Sequence, residues 1–121
     1  APDDLLADPG QLRQVLLNLV TNALDMMPRG GRLEVATWRE GENLLTRITD
    51  SGPGIPPESM AHIFDAFYTT KPKGAGLGLH VAKTIIERHA GRIWCANRPE
   101  GGASFFFSLP VSGGANQEKT K

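Results

Sequence analysis

Two asparagines, Asn18 and Asn22, lie in the middle of a segment whose apolar residues recur at helical spacing. Asparagine is a mediocre helix former, so its presence here needs a reason. A spacing of four residues is about one helical turn, and the two carboxamides therefore stack on one side of the helix. Gln14 and Asp25 extend this polar stripe by about one turn in each direction. The pattern predicts a wall of amides on an otherwise apolar helix.

The second candidate group is Asp50, which opens the segment DSGPGI. By the two-residue period of a β-strand, Asp50 shares a face with Thr46 and Ile48 at the end of an apolar row. A buried carboxylate is costly without hydrogen-bond donors, and a lone Asp-Ser-Gly is most simply a turn. Gly52 and Gly54 favour a different interpretation, because they let the backbone approach a flat object closely. A carboxylate beside accessible backbone suits the amino group of adenine.

The third candidate is a glycine cluster, Gly74, Gly76 and Gly78, which alternates just before a predicted helix. Free backbone N–H groups and the positive end of that helix can face an anion there. Lys71 and Lys73 precede the glycines and either reach phosphates or are solvated loop lysines. The spacing matches neither the Walker nor the Rossmann pattern, and no HRD or DFG segment of the protein kinases is present.

The helices and strands that position these groups are predicted from capping residues, prolines and glycines, and from the periodicity of the apolar residues. Asp8 as a cap and Pro9 at the first helical position predict the start of the first helix, and Pro28 predicts its end. The remaining pattern predicts strands over 32–38 and 43–50, a short helix over 60–64, a helix over 77–90, and strands over 91–97 and 102–110. This order favours a largely antiparallel or mixed sheet with helices on one face. We expect a mobile loop from about 65 to 75 and a disordered tail over 111–121.

Four segments, NLVTNALD, DSGPGI, IFDAFYTTK and GAGLGL, resemble in order and separation the N box, first glycine box, F box and second glycine box of sensor histidine kinases. The resemblance covers most of residues 1–110, which we interpret as one catalytic ATP-binding domain. It implies an α/β two-layer sandwich of the Bergerat type, also found in DNA gyrase and the MutL ATPases. In that fold, a mixed and mostly antiparallel sheet is backed by about three helices.

The resemblance implies ATP and Mg²⁺ as ligands, with Asn22 as the magnesium ligand and Asn18 lining the phosphates, both as catalytic residues. It implies that Asp50 accepts the amino hydrogen of adenine. The positions implied beside the base are Gly52, Gly54 and Ile55. The positions implied in the lid, its hinge and the phosphate contact are Lys71, Lys73, Gly74, Gly76, Leu77, Gly78 and Leu79. Two further pocket positions depart from the family: Asp25 stands where many members carry a lysine, and Met26 where an aromatic residue is common.

The implied function is to hold Mg-ATP and donate its γ-phosphate to a histidine on a separate, upstream dimerisation domain, with a response regulator downstream. Two alternatives share these boxes: an ATP-gated conformational ATPase of the gyrase or MutL class, and an anti-sigma-factor serine kinase. The gyrase and MutL ATPases carry a water-orienting glutamate where Asn18 stands, which favours the kinase. We interpret His62, His80 and His89 as surface or packing residues, so the acceptor is expected outside this chain.

Composition excludes several other classes. Thirteen basic and thirteen acidic side chains cancel, so no global field indicates binding to nucleic acid or to an anionic membrane. The single Cys95 excludes an internal disulfide and a multi-cysteine metal site, and suits a reducing compartment. No segment approaches the roughly 20 apolar residues of a membrane span. We therefore expect a cytoplasmic domain without direct membrane contact, whether or not the parent protein is anchored in a membrane.

Overall fold

The computed structural model describes residues 8–68 and 78–111 of the chain. Helices pack on one face of a four-stranded sheet, which is the predicted α/β arrangement. The elements in chain order are α1 (Pro9–Asp25), β1 (Leu33–Glu40), β2 (Asn43–Asp50), α2 (Pro57–Met60), α3 (Gly78–Arg88), β3 (Arg92–Asn97) and β4 (Ala103–Pro110). No helix in these two ranges is long and apolar enough to cross a membrane.

The sheet has the strand order β1-β2-β4-β3, and every neighbouring pair is antiparallel. The register places Ile48 beside Phe105, and both side chains are almost fully buried. We call the face that bears them, which the helices cover, the inner face. The next pair in the same register, Arg47 and Phe106, points to the opposite side, which we call the outer face. The described strands are thus antiparallel throughout, where a mixed sheet was one of the expectations.

Helix α1 begins as its sequence predicts. One carboxylate oxygen of Asp8 accepts hydrogen bonds from the backbone N–H groups of Gly10 (2.8 Å) and Gln11 (3.1 Å), which caps the helix. The Asp8 N–H itself donates to Nε2 of His89 (3.1 Å), so the end of α3 is tied to the start of α1. Packing of α1 on the inner face and on α3 leaves Val15 fully buried.

Two predicted element boundaries shift for local reasons. The short helix is Pro57–Met60 rather than 60–64, because proline starts a helix well and the following residues form separate hydrogen-bonded turns. Helix α3 ends at Arg88, since Ala90 adopts a left-handed conformation (φ 61) and the Gly91 N–H turns back to the Ile86 carbonyl (2.9 Å). Val111, one residue beyond the predicted domain end, is buried, whereas 112–121 lie outside the described residues.

Candidate functional site

Asp50 is the best-defined group of the site. It ends β2 on the inner face and is only 1% exposed. Its Oδ1 accepts hydrogen bonds from the Gly52 N–H (2.9 Å) and the Ala103 N–H (3.3 Å), and these donors offset the cost of burying the charge. Among the described residues, no hydrogen bond reaches Oδ2. One oxygen is therefore fixed by the protein, and the other remains able to accept a hydrogen bond from a ligand.

Glycines allow three segments to meet at Asp50. A Cβ atom at Gly102 would overlap the carbonyl oxygen of Asp50, and Gly102 also has a positive φ of 86°. A Cβ atom at Gly52 would lie 2.7 Å from the Met26 carbonyl oxygen, closer than such contacts normally come. The end of α1, the loop after β2 and the turn before β4 therefore approach each other at positions that only glycine permits.

Asn97 is a site residue that the sequence did not reveal. Its Oδ1 accepts from the Ile55 N–H (2.7 Å) and its Nδ2 donates to the Ile55 carbonyl (2.8 Å), so one side chain holds both backbone groups of that residue. The side chain of Ile55 belongs to the hydrophobic core. The strand register could have revealed it, because Asn97 pairs with Ala103, whose N–H donates to Asp50. That inference requires the pairing of β3 with β4, which the sequence alone does not give.

The amide stripe of α1 faces α3. Asn18 accepts from Nε2 of Gln14 (2.7 Å) and donates from Nδ2 to the Gly78 carbonyl (2.9 Å). Asn22 is 8% exposed, and its carboxamide has no hydrogen bond within the described residues. The two asparagines thus lie on the same side of α1, as predicted. The Asn18 amide links α1 to α3, and the Asn22 amide is buried one turn further along the helix.

The end of α1 reaches toward the loop that follows Asp50. Asp25 is exposed at the last helical position, and Met26 follows as the C-terminal cap. The Met26 N–H donates to the Asn22 carbonyl (3.1 Å), and its own carbonyl lies against Gly52. A continuous path of contacts therefore runs from Asn22 through Met26 to the loop that follows Asp50.

The predicted phosphate segment is described only in its last part. Gly78 begins α3 and is exposed, and Leu79 packs against the core. The first N–H groups of an α-helix have no partner within the helix and attract anions, and here they lie at the end where Asn18 contacts Gly78. The other predicted positions, Lys71, Lys73, Gly74, Gly76 and Leu77, lie outside the described residues, as does most of the expected lid.

The donor set of the site suits a magnesium ion that is held mainly by phosphate. Within the described ranges, no group of three or more His, Cys, Asp or Glu side chains could hold a metal by itself. Magnesium binds oxygen ligands, and usually takes one or two from the protein and several from substrate phosphates and water. The buried carboxamide oxygen of Asn22 fits that requirement.

Comparison with known proteins shows the family of the chain. The family "Histidine kinase-, DNA gyrase B-, and HSP90-like ATPase" matches residues 7–113. The sensor histidine kinase TmoS of Ectopseudomonas mendocina is 39% identical over 114 residues, which are 89% of this chain and 12% of TmoS. The chain spans between 12% and 33% of the length of the curated relatives compared here.

Solved structures of histidine kinases share the fold. The nucleotide-free catalytic domain of ThkA superposes with a TM-score of 0.81 at 38% identity, covering 88% of this chain and 70% of that one. ThkA in complex with the response regulator TrrA gives 0.76 at 35% identity, covering 89% and 30%. Full-length ShkA in complex with AMPPNP gives 0.79 at 34% identity, covering 89% and 23%.

Proposed function

Because the chain belongs to the histidine kinase-, DNA gyrase B- and HSP90-like ATPase family and has the fold of a histidine kinase catalytic domain, we propose that it binds Mg-ATP and donates the γ-phosphate to a histidine on a separate dimerisation domain of its parent kinase. A response regulator would receive the phosphoryl group next. Two of the similar structures support these partners by analogy: ShkA was solved with AMPPNP, and ThkA with a response regulator.

The observation that carries this proposal is the arrangement around Asp50. The Gly52 and Ala103 N–H groups donate to Oδ1, and within the described residues Oδ2 accepts no hydrogen bond, so it stays available to a ligand. An amino group of adenine donates to such an oxygen, whereas the carbonyl at the same place in guanine or inosine would face a negative charge. The site would therefore select adenine nucleotides, with Asn97 keeping the Ile55 backbone at the edge of the base.

The phosphate end would rely on α1 and α3 together. Asn18 is held between Gln14 and Gly78, so its amide is part of a neutral wall that does not repel a triphosphate. The N-terminal N–H groups of α3 favour negative charge at the same end. Asn22 would hold Mg²⁺, which neutralises charge on the phosphates when bound.

The side chain of Asn18 argues against a function as an ATP-hydrolysing conformational clamp. A clamp of the gyrase or MutL class uses a glutamate to orient water at the position of Asn18, and an amide that is committed to Gly78 and Gln14 cannot act as that base. The named relatives are sensor histidine kinases, which likewise favours transfer to histidine over transfer to serine or water.

The acceptor would come from another domain, because all three histidines of this chain are engaged locally. Nδ1 of His62 lies 3.1 Å from an Asp65 carboxylate oxygen, and Nδ1 of His80 lies 3.2 Å from the Phe64 carbonyl oxygen. His89 bonds the Ile85 carbonyl (2.8 Å) at the far end of α3. In-line transfer needs an acceptor nitrogen roughly 3 Å from the γ-phosphorus, and these local contacts disfavour each of the three histidines as that acceptor.

Phe67 is the best candidate for contact with that acceptor domain. Its side chain is 74% exposed, and its backbone adopts a positive φ of 68°. Such a conformation costs on the order of 1 kcal/mol or more in a non-glycine residue and is frequent at functional sites. Phe67 also lies in the segment that resembles the F box, near the start of the expected mobile loop. A helical dimerisation domain would cover this exposed ring during transfer.

The test is incubation with γ-labelled ATP, with and without the dimerisation domain of the parent kinase. We expect no acid-labile label on residues 1–121 alone and stoichiometric label on the added histidine. Phe67→Ala should slow transfer at least about tenfold with unchanged ATP affinity, whereas Val35→Ala, at an exposed valine on the edge strand β1, should have no effect. Stoichiometric acid-labile label on the isolated chain would overturn the proposal.

A further inference from the structure

A groove on the outer face of the sheet lies beside the proposed nucleotide site and shares only Asn97 with the residues assigned to that site above. Its volume is about 390 Å³, and it opens between the central strands and the turn that joins β3 to β4. The lining residues that matter here are Arg47, Thr49, Ser104, Phe106, Glu34 and Glu100. Asn18 and Asn22 lie on the other side of the sheet, on a helix that packs against the inner face.

Arg47 is the unusual residue of this groove. Its Nε atom is buried and makes no hydrogen bond, and its guanidinium lies 5.8 Å from the centre of the Trp38 ring. Within residues 8–68 and 78–111, Arg47 forms no ion pair. A buried polar atom without a partner costs roughly 1–3 kcal/mol, and native proteins leave few of them. Arg47 as a whole is half-buried, and a guanidinium whose buried Nε atom has no partner in the described fold is a candidate for a ligand contact.

The carboxylates around Arg47 are already engaged. Glu34 lies 3.6 Å from a guanidinium nitrogen of Arg32. Glu100 accepts a hydrogen bond from Arg98 (2.8 Å), and this bond lowers the pKa of the Glu100 carboxyl. Both acids sit at the rim of the groove and keep the field there from being strongly positive. Arg98 also lines the groove but is paired with Glu100, so Arg47 is the unpaired cation that an incoming carboxylate would meet there.

The rest of the groove consists of an aromatic side and a base of polar side chains that hydrogen-bond to each other. The Phe106 and Trp94 rings stack with their centroids 5.3 Å apart and only 8° between their planes. On the floor, Thr49 Oγ1 and Ser104 Oγ share a buried hydrogen bond of 2.8 Å, so their hydroxyls satisfy each other. The groove thus offers one unpaired guanidinium, that of Arg47, next to the aromatic ring of Phe106.

From this arrangement we infer that the outer-face groove recognises a segment of a protein partner in which an Asp or Glu carboxylate adjoins an aromatic or aliphatic side chain. The carboxylate pairs with the Arg47 guanidinium, whose Nε–H joins this contact if the side chain turns toward the groove, and the apolar side chain covers Phe106. One unpaired guanidinium matches a single carboxylate, whereas a nucleic acid or an anionic membrane would bring several further negative charges against Glu34 and Glu100 at the rim.

The first experiment uses two matched dipeptides, N-acetyl-Glu-Trp-amide and N-acetyl-Gln-Trp-amide, titrated into the isotope-labelled chain and followed by NMR. We expect saturable shifts at the Arg47 Nε–H and at the backbone amides of Thr49, Ser104 and Phe106 with the Glu peptide. The Gln peptide should bind at least about tenfold more weakly, since it lacks the charge that pairs with guanidinium. Equal binding of the two peptides, shifts that map elsewhere, or no saturation by either peptide would overturn the inference.

Substitution supplies the second experiment. Arg47→Met should abolish binding of the Glu peptide yet leave the free energy of unfolding unchanged or raise it, because a well-packed apolar side chain removes an unsatisfied buried group. Arg92→Met is the matched control, since Arg92 also lies over a tryptophan of the outer face (5.7 Å from the Trp94 ring) but does not line the groove. A marked loss of stability in Arg47→Met would make Arg47 structural and contradict the inference.

Two further readouts separate the outcomes. Both variants should bind ATP like the unaltered chain, so a failure of the peptide prediction leaves the nucleotide proposal standing, and the reverse also holds. Phenyl phosphate serves as a dianionic probe of the same groove. If it competes with the Glu peptide and binds more tightly, the ligand class is phosphate rather than carboxylate, and the inference is wrong.

Discussion

Replacing Asp50 by asparagine tests base recognition with almost no change in shape. In the protein, Oδ1 accepts from two backbone N–H groups, those of Gly52 and Ala103. An asparagine at this position must keep its oxygen there, since the opposite orientation would place its NH₂ against two donors. The NH₂ group then occupies the place of Oδ2. A site that accepts a hydrogen bond from the base becomes a site that donates one.

The expected size of the effect follows from that reversal. A hydrogen bond to a charged group contributes about 1.5–3 kcal/mol. Since every 1.4 kcal/mol is about tenfold in affinity, Asp50→Asn should weaken ATP binding by about 10- to 140-fold. Inosine triphosphate, which carries a carbonyl where adenine carries its amino group, should lose little or gain affinity, because the new NH₂ can donate to that oxygen.

The assay is calorimetry with ATP and inosine triphosphate on the unaltered chain, on Asp50→Asn and on Glu34→Gln. Glu34 makes the same acid-to-amide change on the outer face, away from the nucleotide site, so its ATP affinity should not move. Thermal unfolding of each variant shows whether the fold is retained. We expect the preference for ATP over inosine triphosphate to fall by at least about tenfold in Asp50→Asn alone.

One outcome would refute the reasoning about Asp50. If Asp50→Asn unfolds at the normal temperature, binds ATP more weakly and yet keeps the full preference for ATP, then Oδ2 does not contact the amino group. Asp50 would then be a structural anchor for Gly52 and Ala103, and the base would be selected elsewhere in the pocket.

Two other predictions address the metal and the thiol. Asn22→Ala should abolish most of the Mg²⁺-dependent part of ATP binding while leaving metal-free ADP binding unchanged, as measured by calorimetry with and without a chelator; an unaltered Mg²⁺ dependence would reassign Asn22 to helix packing. Burial raises the pKa of Cys95 to about 11, so at a pH of about 8 only about one thiol in a thousand is ionised. Iodoacetamide should therefore modify the folded chain far more slowly than the denatured chain, and the rate should rise as the pH approaches 11; rapid labelling at neutral pH would show an exposed thiol.

Features set by neighbours in the sequence were predictable. Asp8 caps α1 through residues two and three positions away, and contacts over so short a separation can be predicted from the local sequence. The burial of Asp50 followed from the alternation along β2, where Thr46 and Ile48 precede it on the same face. Local spacing was sufficient because one helix and one strand each impose a fixed period.

Features that depend on pairing between distant segments were not predictable. Asn97 holds Ile55 from 42 residues away, and His89 takes the N–H of Asp8 from 81 residues away. Neither contact has a signature in its own neighbourhood: an asparagine at a strand end is common, and so is a histidine at a helix end. Arg47 is similar, because an arginine in a strand is ordinarily exposed, and only its place between Trp38 and Phe106 makes its Nε atom buried.

Under the proposed mode of nucleotide binding, the contacts near the middle and at the end of α1 give this helix a further role: it would set the distance between the base and the phosphates. Near its middle, Asn18 bonds the Gly78 carbonyl at the start of α3. Immediately after its last residue, the Met26 carbonyl lies against Gly52, beside Asp50. These positions are eight residues apart (26 − 18), which is about 12 Å along a helix. A helix is stiff over that length, so a nucleotide whose base is bound beside Asp50 would find the Asn18 amide at a fixed distance. That separation is a property of α1 itself, and it does not require the lid to be in place.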